Sequence, residues 1–147
     1  MNQPLVVIAE DDRDVRELLT FALENAGYRT LAARDGATAA RLVGSAHPVA
    51  LITDVRMPDM NGMDLCRLIR RNPATRDLAI LMFSASIHPY DVDAGLAAGA
   101  DRYLPKPLAP RRILAELHSV LTGDRTPHLP TAHPTTRITG VFSLASA

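Results

Sequence analysis

Short apolar runs alternate along the chain with stretches in which apolar residues recur at helical spacing. Leu5-Val6-Val7-Ile8-Ala9 is rich in β-branched residues and ends abruptly in Glu10-Asp11-Asp12. Behind it Val15, Leu18, Leu19, Ala22 and Ala26 follow a helical period, with Gly27 placed as a C-cap. That helix starts just after the acidic cluster, either on Asp12 as N-cap or on the capping-box pattern Asp14-x-x-Glu17. The unit then repeats. Tyr28 to Ala33 is a short strand, Gly36 to Ser45 an alanine-rich helix, and Val49 to Thr53 a buried strand. Gly62 to Arg71 reads as a helix with Leu65, Cys66, Leu68 and Ile69 inward and Arg67, Arg70 and Arg71 outward. Leu78 to Phe83 is the fourth strand. Asp91 to Ala98 is a weaker helix, diluted by Gly95, because glycine costs roughly 1 kcal/mol relative to alanine in a helix interior. Arg102 to Leu104 is a fifth short strand. The last helix starts near Ala109-Pro110, with proline acceptable in its first turn, and keeps Ile113, Leu114, Leu117, Val120 and Leu121 on one side.

Strand-helix pairs in regular alternation predict an α/β fold: a doubly wound, five-stranded parallel sheet covered on both faces. Right-handed crossovers then point the C-terminal end of every strand to one edge, where open α/β sheets bind their ligands. After Leu121 the composition changes. Residues 123–147 carry Pro127, Pro130 and Pro134 and several threonines without a helical period, so the ordered domain is expected over 1–122, followed by a largely disordered tail. Ile138, Val141, Phe142 and Leu144 in that tail are apolar enough to pack on the domain or on a partner.

The bulk numbers narrow the choice. A chain of 147 residues suits one domain with a single core, and 47% hydrophobic with 22% charged content suits a soluble globular protein. Lys+Arg and Asp+Glu both total 16, so the basic surplus that nucleic acid or an anionic membrane would require of its main partner is missing. Cys66 is the only cysteine, which excludes an intrachain disulfide and a cysteine metal framework and makes the cytoplasm the default location. The opening "MNQPLVVIAEDD" lacks a basic n-region and is not a signal peptide. No apolar stretch approaches the ~20 residues that span a bilayer.

Candidate chemistry gathers at the strand ends. Glu10 and Asp11 follow the first strand and Asp54 the third, and these strands can be neighbours in a doubly wound sheet. At an effective dielectric of 20, each pair of such acids at 4 Å repels by about 4 kcal/mol, so the site must hold a proton or a cation. Oxygen-only ligands favour Mg²⁺ over zinc or copper. Ser84 closes the fourth strand and Lys106 follows the fifth in "YLPKPL". Each residue has a plain reading: Asp12 as a helix cap, Ser84 as a turn residue, Lys106 as a solvated charge, Cys66 as small core filling, Tyr103 as half-buried packing. Those readings leave unexplained why acids, a hydroxyl and an ammonium all fall at C-terminal strand ends. Together they are equipment for in-line phosphoryl transfer onto an aspartate.

The motifs "VVIAEDD", "LITDVRMPDMNG", "MFSAS" and "AGADRYLPKPL", in order and in register, resemble a response-regulator receiver domain of two-component signalling over about Leu5 to Thr122. The resemblance implies a (βα)5 flavodoxin-like fold with strand order 2-1-3-4-5, and Asp54 as phospho-acceptor. It implies a Mg²⁺ site formed by Asp11, Asp54 and the backbone carbonyl of Arg56, with Glu10 acting through water. Ser84 matches the hydroxyl that swings to the phosphoryl group, Lys106 the lysine that salt-bridges it, and Tyr103 the aromatic coupled to that swing. Lys106-Pro107 matches a cis peptide. Arg56 and Ser86 stand at positions that vary in the family and tune acyl-phosphate lifetime. The implied partners are a sensor histidine kinase and a downstream protein or histidine phosphotransfer protein. No DNA-binding output domain follows in the sequence, so a stand-alone receiver without direct DNA contact is expected, as a monomer or weak phosphorylation-dependent dimer. Such a switch catalyses its own phosphorylation without being a multiple-turnover enzyme. The competing readings are a phosphorelay intermediary, a phosphorylation-independent binding module and a Mg²⁺-dependent phosphohydrolase. A binding module is disfavoured because no site position is missing. The hydrolase would need a second acid where Arg56 stands.

Overall fold

In a computed structural model, which describes residues 3–125, strands and helices alternate strictly. They run β1 (Leu5–Ala9), α1 (Arg13–Asn25), β2 (Arg29–Ala33), α2 (Gly36–Ala46), β3 (Ala50–Asp54), α3 (Gly62–Arg71), β4 (Ala79–Ser84), α4 (Pro89–Ala97), β5 (Arg102–Pro105) and α5 (Pro110–Leu121). All strand pairs are parallel, in the order β2-β1-β3-β4-β5 expected from the sequence. The period of two along each strand divides the interior into two cores. Val7, Ala9, Leu51, Ile80, Met82 and Tyr103 face α2, α3 and α4, while Val6, Ile8, Ile52, Leu81, Phe83 and Leu104 face α1 and α5.

Local chemistry starts each helix. Asp12, and not the alternative capping box, caps α1: its carboxylate accepts from the N–H groups of Asp14 and Val15, and Glu17 pairs instead with Arg13. Asp35 and Asn61 cap α2 and α3 in the same way. His88 Nδ1 accepts from Tyr90 N–H at the start of α4, two residues before the start expected from the sequence. Pro110 occupies the first turn of α5, which has no side-chain cap.

Several expected orientations differ. Leu18 and Leu68 are exposed, because at about 100° per residue each lies on the flank of a stripe centred on Leu19 and Leu23, or on Leu65, Cys66 and Ile69. Leu121 is likewise on a flank, and the buried stripe of α5 is Ile113, Leu117 and Val120. Arg70, expected outward, folds back: its guanidinium donates to the carbonyls of Gly99, Arg76 and Leu78 and to Asp101. Tyr103 is fully buried rather than half-buried. Just past α5, Asp124 pairs with Arg102 and Arg125 with Asp101. Ile138, Val141, Phe142 and Leu144 lie outside the described residues. No helix among the described residues is long and apolar enough to cross a membrane.

Candidate functional site

Strand register sets the edge on which the polar groups meet. Ala9 lies opposite Thr53, Asp54 opposite Phe83, and Ser84 opposite Pro105, so β1, β3, β4 and β5 all finish at one level. Asp54 is the last residue of β3 itself. The turn after β1 is tied down by Glu10 N–H, which donates to the Ala33 carbonyl at 2.9 Å, and by Arg16, which donates to the carbonyls of Glu10 and Asp11. The loop after β3 is tied down by Val55 N–H to the Phe83 carbonyl (3.0 Å) and Gly62 N–H to the Val55 carbonyl (2.8 Å). A Cβ at Gly62 would overlap the Asp54 carbonyl oxygen, so only glycine lets α3 begin this close to the site.

Lys106 is aimed into the edge from β5. Its N–H donates to the Ser84 carbonyl (2.8 Å), the Lys106–Pro107 peptide is cis, and Nζ stands 5.3 Å from the Phe83 ring centroid. Nζ donates to Asp54 Oδ2 at 2.9 Å and to Glu10 Oε1 at 3.1 Å. The other Asp54 oxygen, Oδ1, accepts from Arg56 N–H at 3.3 Å. Glu10 is fully buried, and its Oε2 has no hydrogen-bond partner among the described residues. Asp11 is exposed at the mouth, and one carboxylate oxygen from each of Glu10, Asp11 and Asp54 lies within 4.8 Å of the others.

The electrostatics follow from that crowding. Burial, reinforced by the Asp54 carboxylate and opposed by Lys106, pushes the Glu10 carboxyl up from 4.5 to about 8. Burial pulls the Lys106 ammonium down, but Asp54 and Glu10 outweigh it and hold its pKa above the usual value. Three carboxylates around one ammonium leave the edge short of positive charge. An orphaned buried carboxylate oxygen beside two further acids fits a hard divalent cation with oxygen ligands.

Ser84 and Tyr103 stand next to this cluster and are linked through a residue that the sequence singled out only for acyl-phosphate lifetime. Ser84 Oγ accepts from Ser86 N–H (3.1 Å), and Tyr103, 1% exposed, donates its hydroxyl to the Ser86 carbonyl (2.7 Å). Burial raises the phenol pKa of Tyr103. Ser86 Oγ in turn donates to Asp91 Oδ2 at 2.5 Å, in the first turn of α4. The contribution of Arg16 had no sequence signal beyond helical spacing from the acidic cluster. That of Asn61 could have been found, since an Asn before Gly62-Met63-Asp64 is a helix-start pattern.

Comparison with known proteins points the same way. The family profile described as "Response regulator receiver domain" matches residues 6–118. Two proteins called response regulator MprA, from Mycobacterium ulcerans (strain Agy99) and Mycobacterium tuberculosis (strain ATCC 25618 / H37Rv), are each 40% identical over 116 residues. The matches cover 79% of this chain and 49% and 50% of those proteins, so the chain spans about half the length of these curated relatives. Among solved structures, the chemotaxis response regulator CheY4 of Vibrio cholerae superposes with a TM-score of 0.77 at 29% identity, covering 81% of this chain and 99% of that one. The signal receiver domain of a signal transduction histidine kinase from Syntrophus aciditrophicus gives 0.76 at 30% identity, with 88% and 98% covered.

Proposed function

The chain belongs to the response-regulator receiver family, and on that footing we propose that Asp54 is the residue through which it is switched, accepting a phosphoryl group from the phosphohistidine of a sensor histidine kinase. A carboxylate oxygen of Asp54 attacks phosphorus as the P–N bond of the phosphohistidine breaks, and the imidazole leaves. Asp11, Asp54 and the Arg56 carbonyl, with Glu10 through water, are the groups that would hold Mg²⁺, which when bound neutralises charge on the transferring phosphoryl oxygens. Lys106, already on Asp54 at 2.9 Å, moves its ammonium to a phosphoryl oxygen once the acyl phosphate forms. Ser84 gives up the Ser86 N–H and turns its hydroxyl to the phosphoryl group. The new arrangement is favoured only because the phosphoryl group makes contacts there that it lacks in the resting state. As in the rest of the family, one phosphoryl group is consumed per switching event, and the chain is not a multiple-turnover enzyme.

The observation that carries this reading is the strand-terminal Asp54, held between Lys106 and two further acids, with a buried Glu10 oxygen left without a partner among the described residues. The test is intact mass after incubation with Mg²⁺ and a small phosphodonor such as acetyl phosphate. A single phosphoryl adduct is expected on the native protein and none on Asp54→Ala. No adduct on the native chain, or an undiminished one on the variant, overturns the reading.

We place the domain in the cytoplasm with a histidine kinase upstream and a protein partner downstream, meeting the face formed by α4, β5 and α5. The phosphorelay reading is supported by likeness to a receiver domain of a histidine kinase. It differs in one measurable respect: the phosphoryl group would pass from Asp54 to a histidine phosphotransfer protein faster than it is lost to water.

A further inference from the structure

Gly95 reads in the sequence as a residue that weakens α4. In the folded chain it is buried, and a Cβ placed on it would lie 2.6 Å from Cδ2 and 2.9 Å from Cε2 of Tyr103, and 3.0 Å from Sδ of Met82. The Met82 thioether is the end of a flexible side chain and can yield. The Tyr103 ring cannot yield as easily, because it is buried and its hydroxyl is held by the Ser86 carbonyl at 2.7 Å. So α4 approaches β5 more closely than a residue with a side chain allows, and the ring occupies the space a methyl group would need.

Two contacts on one side of α4 act on the same loop. Asp91 and Gly95 are four residues apart and share a helix face. Asp91 holds Ser86 through its hydroxyl, Gly95 seats the ring that holds Ser86 through its carbonyl, and the Ser86 N–H is what Ser84 Oγ accepts. We infer that Gly95 is a positioning residue: the absence of a side chain there seats Tyr103 inward, and through Ser86 that seat governs how readily the Ser84 hydroxyl is released. The second half of the inference rests on Ser84 being the group that meets the phosphoryl oxygen. The first half does not.

The experiment compares Gly95→Ala with Gly44→Ala, since Gly44 is also inside a helix but a Cβ there would meet nothing within 4 Å. If Gly95 only dilutes its helix, both substitutions raise the melting temperature. If it is a seat, Gly44→Ala raises it and Gly95→Ala does not, and the fluorotyrosine NMR resonance of Tyr103 moves to an exposed position. Adding Tyr103→Ala removes the obstacle, so Gly95→Ala in that background raises the melting temperature again. Should Gly95→Ala alone fail to fold, the double variant decides. Recovery to at least the stability of Tyr103→Ala supports the seat, and continued failure overturns it. For the link to Ser84, the rate of adduct formation at Asp54 with acetyl phosphate and Mg²⁺ changes by roughly 3- to 10-fold in Gly95→Ala. A raised melting temperature with Tyr103 still buried overturns the seat, and an expelled ring with an unchanged rate overturns its reach to Ser84. If the native protein forms no adduct, the proposed function and the link to Ser84 fall together, and the ring resonance still judges the seat.

Discussion

Both edges of the sheet bury charge, and they do so in opposite ways. At the N-terminal ends of β4 and β5, Asp101 accepts from Ile80 N–H and lies between Arg70 (3.2 Å) and Arg125 (2.9 Å). The same two guanidiniums donate to the carbonyls of Gly99, Arg76, Asp77 and Leu78. The next residue, Arg102, is fully buried and pairs with Glu116 (2.8 Å) and Asp124 (3.4 Å) while donating to Asp101 and Ser119. Three arginines there face three acids. At the C-terminal edge three acids face one lysine, and a buried Glu10 oxygen has no hydrogen-bond partner among the described residues. Burial alone therefore does not mark a reactive site. A buried charge whose partners are complete holds the fold together, and one whose partners are short is where a ligand gains most by arriving.

The largest test of this contrast is Arg102→Met. It keeps the volume and leaves Glu116 and Asp124 facing a buried apolar chain. Glu116 and Asp124 are 23% and 42% exposed and regain water, so the cost is that of the lost charge-assisted hydrogen bonds, about 1.5–3 kcal/mol, and a clear drop in the urea midpoint is expected, without loss of adduct formation at Asp54 in the fraction that folds. A cost under about 1 kcal/mol would erase the difference between the two edges, since that is what an exposed pair is worth.

The same contrast explains what the sequence could tell. The upper edge was legible because apolar runs end in polar groups at Glu10, Asp54, Ser84 and beside Lys106, and chain order alone brings such ends together in a parallel sheet. The lower edge was not. Arg102 reads as a charge opening a short strand, and its partners come from 14 and 22 positions further along, on α5 and past it. Periodicity reports which face of an element is apolar but not which arginine folds back over a loop, as Arg70 does. Strand limits shifted by a residue for a related reason. Pairing of Ala50 with Ala79 and Asp54 with Phe83 decides where β3 starts and stops, and pairing is not a local property. Gly95 shows a further gap: periodicity reads only its cost to a helix taken alone, and not that it stands under the Tyr103 ring.

An intermediate effect, with the opposite sign, is expected at the upper edge. The folded pKa of Glu10, about 8, lies above its ordinary 4.5 because burial and Asp54 favour the protonated form. Its contribution to stability is thus full below about pH 4.5 and is lost as pH rises through about 8. Glu10→Gln keeps a neutral group at every pH. Without Mg²⁺ the variant should match the native protein near the lower limit and exceed it above the upper one by about 1–2 kcal/mol, roughly the worth of one pKa unit. Mg²⁺ should narrow or reverse the gap, since only the carboxylate gains from the ion. Melting curves of both proteins across this pH range, with and without Mg²⁺, check this. A gap independent of pH would mean that Glu10 is not strained by its surroundings.

Arg125→Ala should give the smallest effect and still discriminate. The side chain is 41% exposed, so its pair with Asp101 is screened, and about 1 kcal/mol is expected for the pair and the two loop carbonyls together. Arg13, at 79% exposure and paired with Glu17 on the same helix, should change the urea midpoint less still. Both are arginine-carboxylate pairs of similar length, so a difference between them measures what the surroundings add. If Arg125→Ala is as silent as Arg13→Ala, Arg125 does not brace β4 and β5, and Asp124 on Arg102 is the last contact past α5 that does. If it costs more, the domain extends at least to Arg125, because the contacts that complete Asp101 come from beyond the last helix.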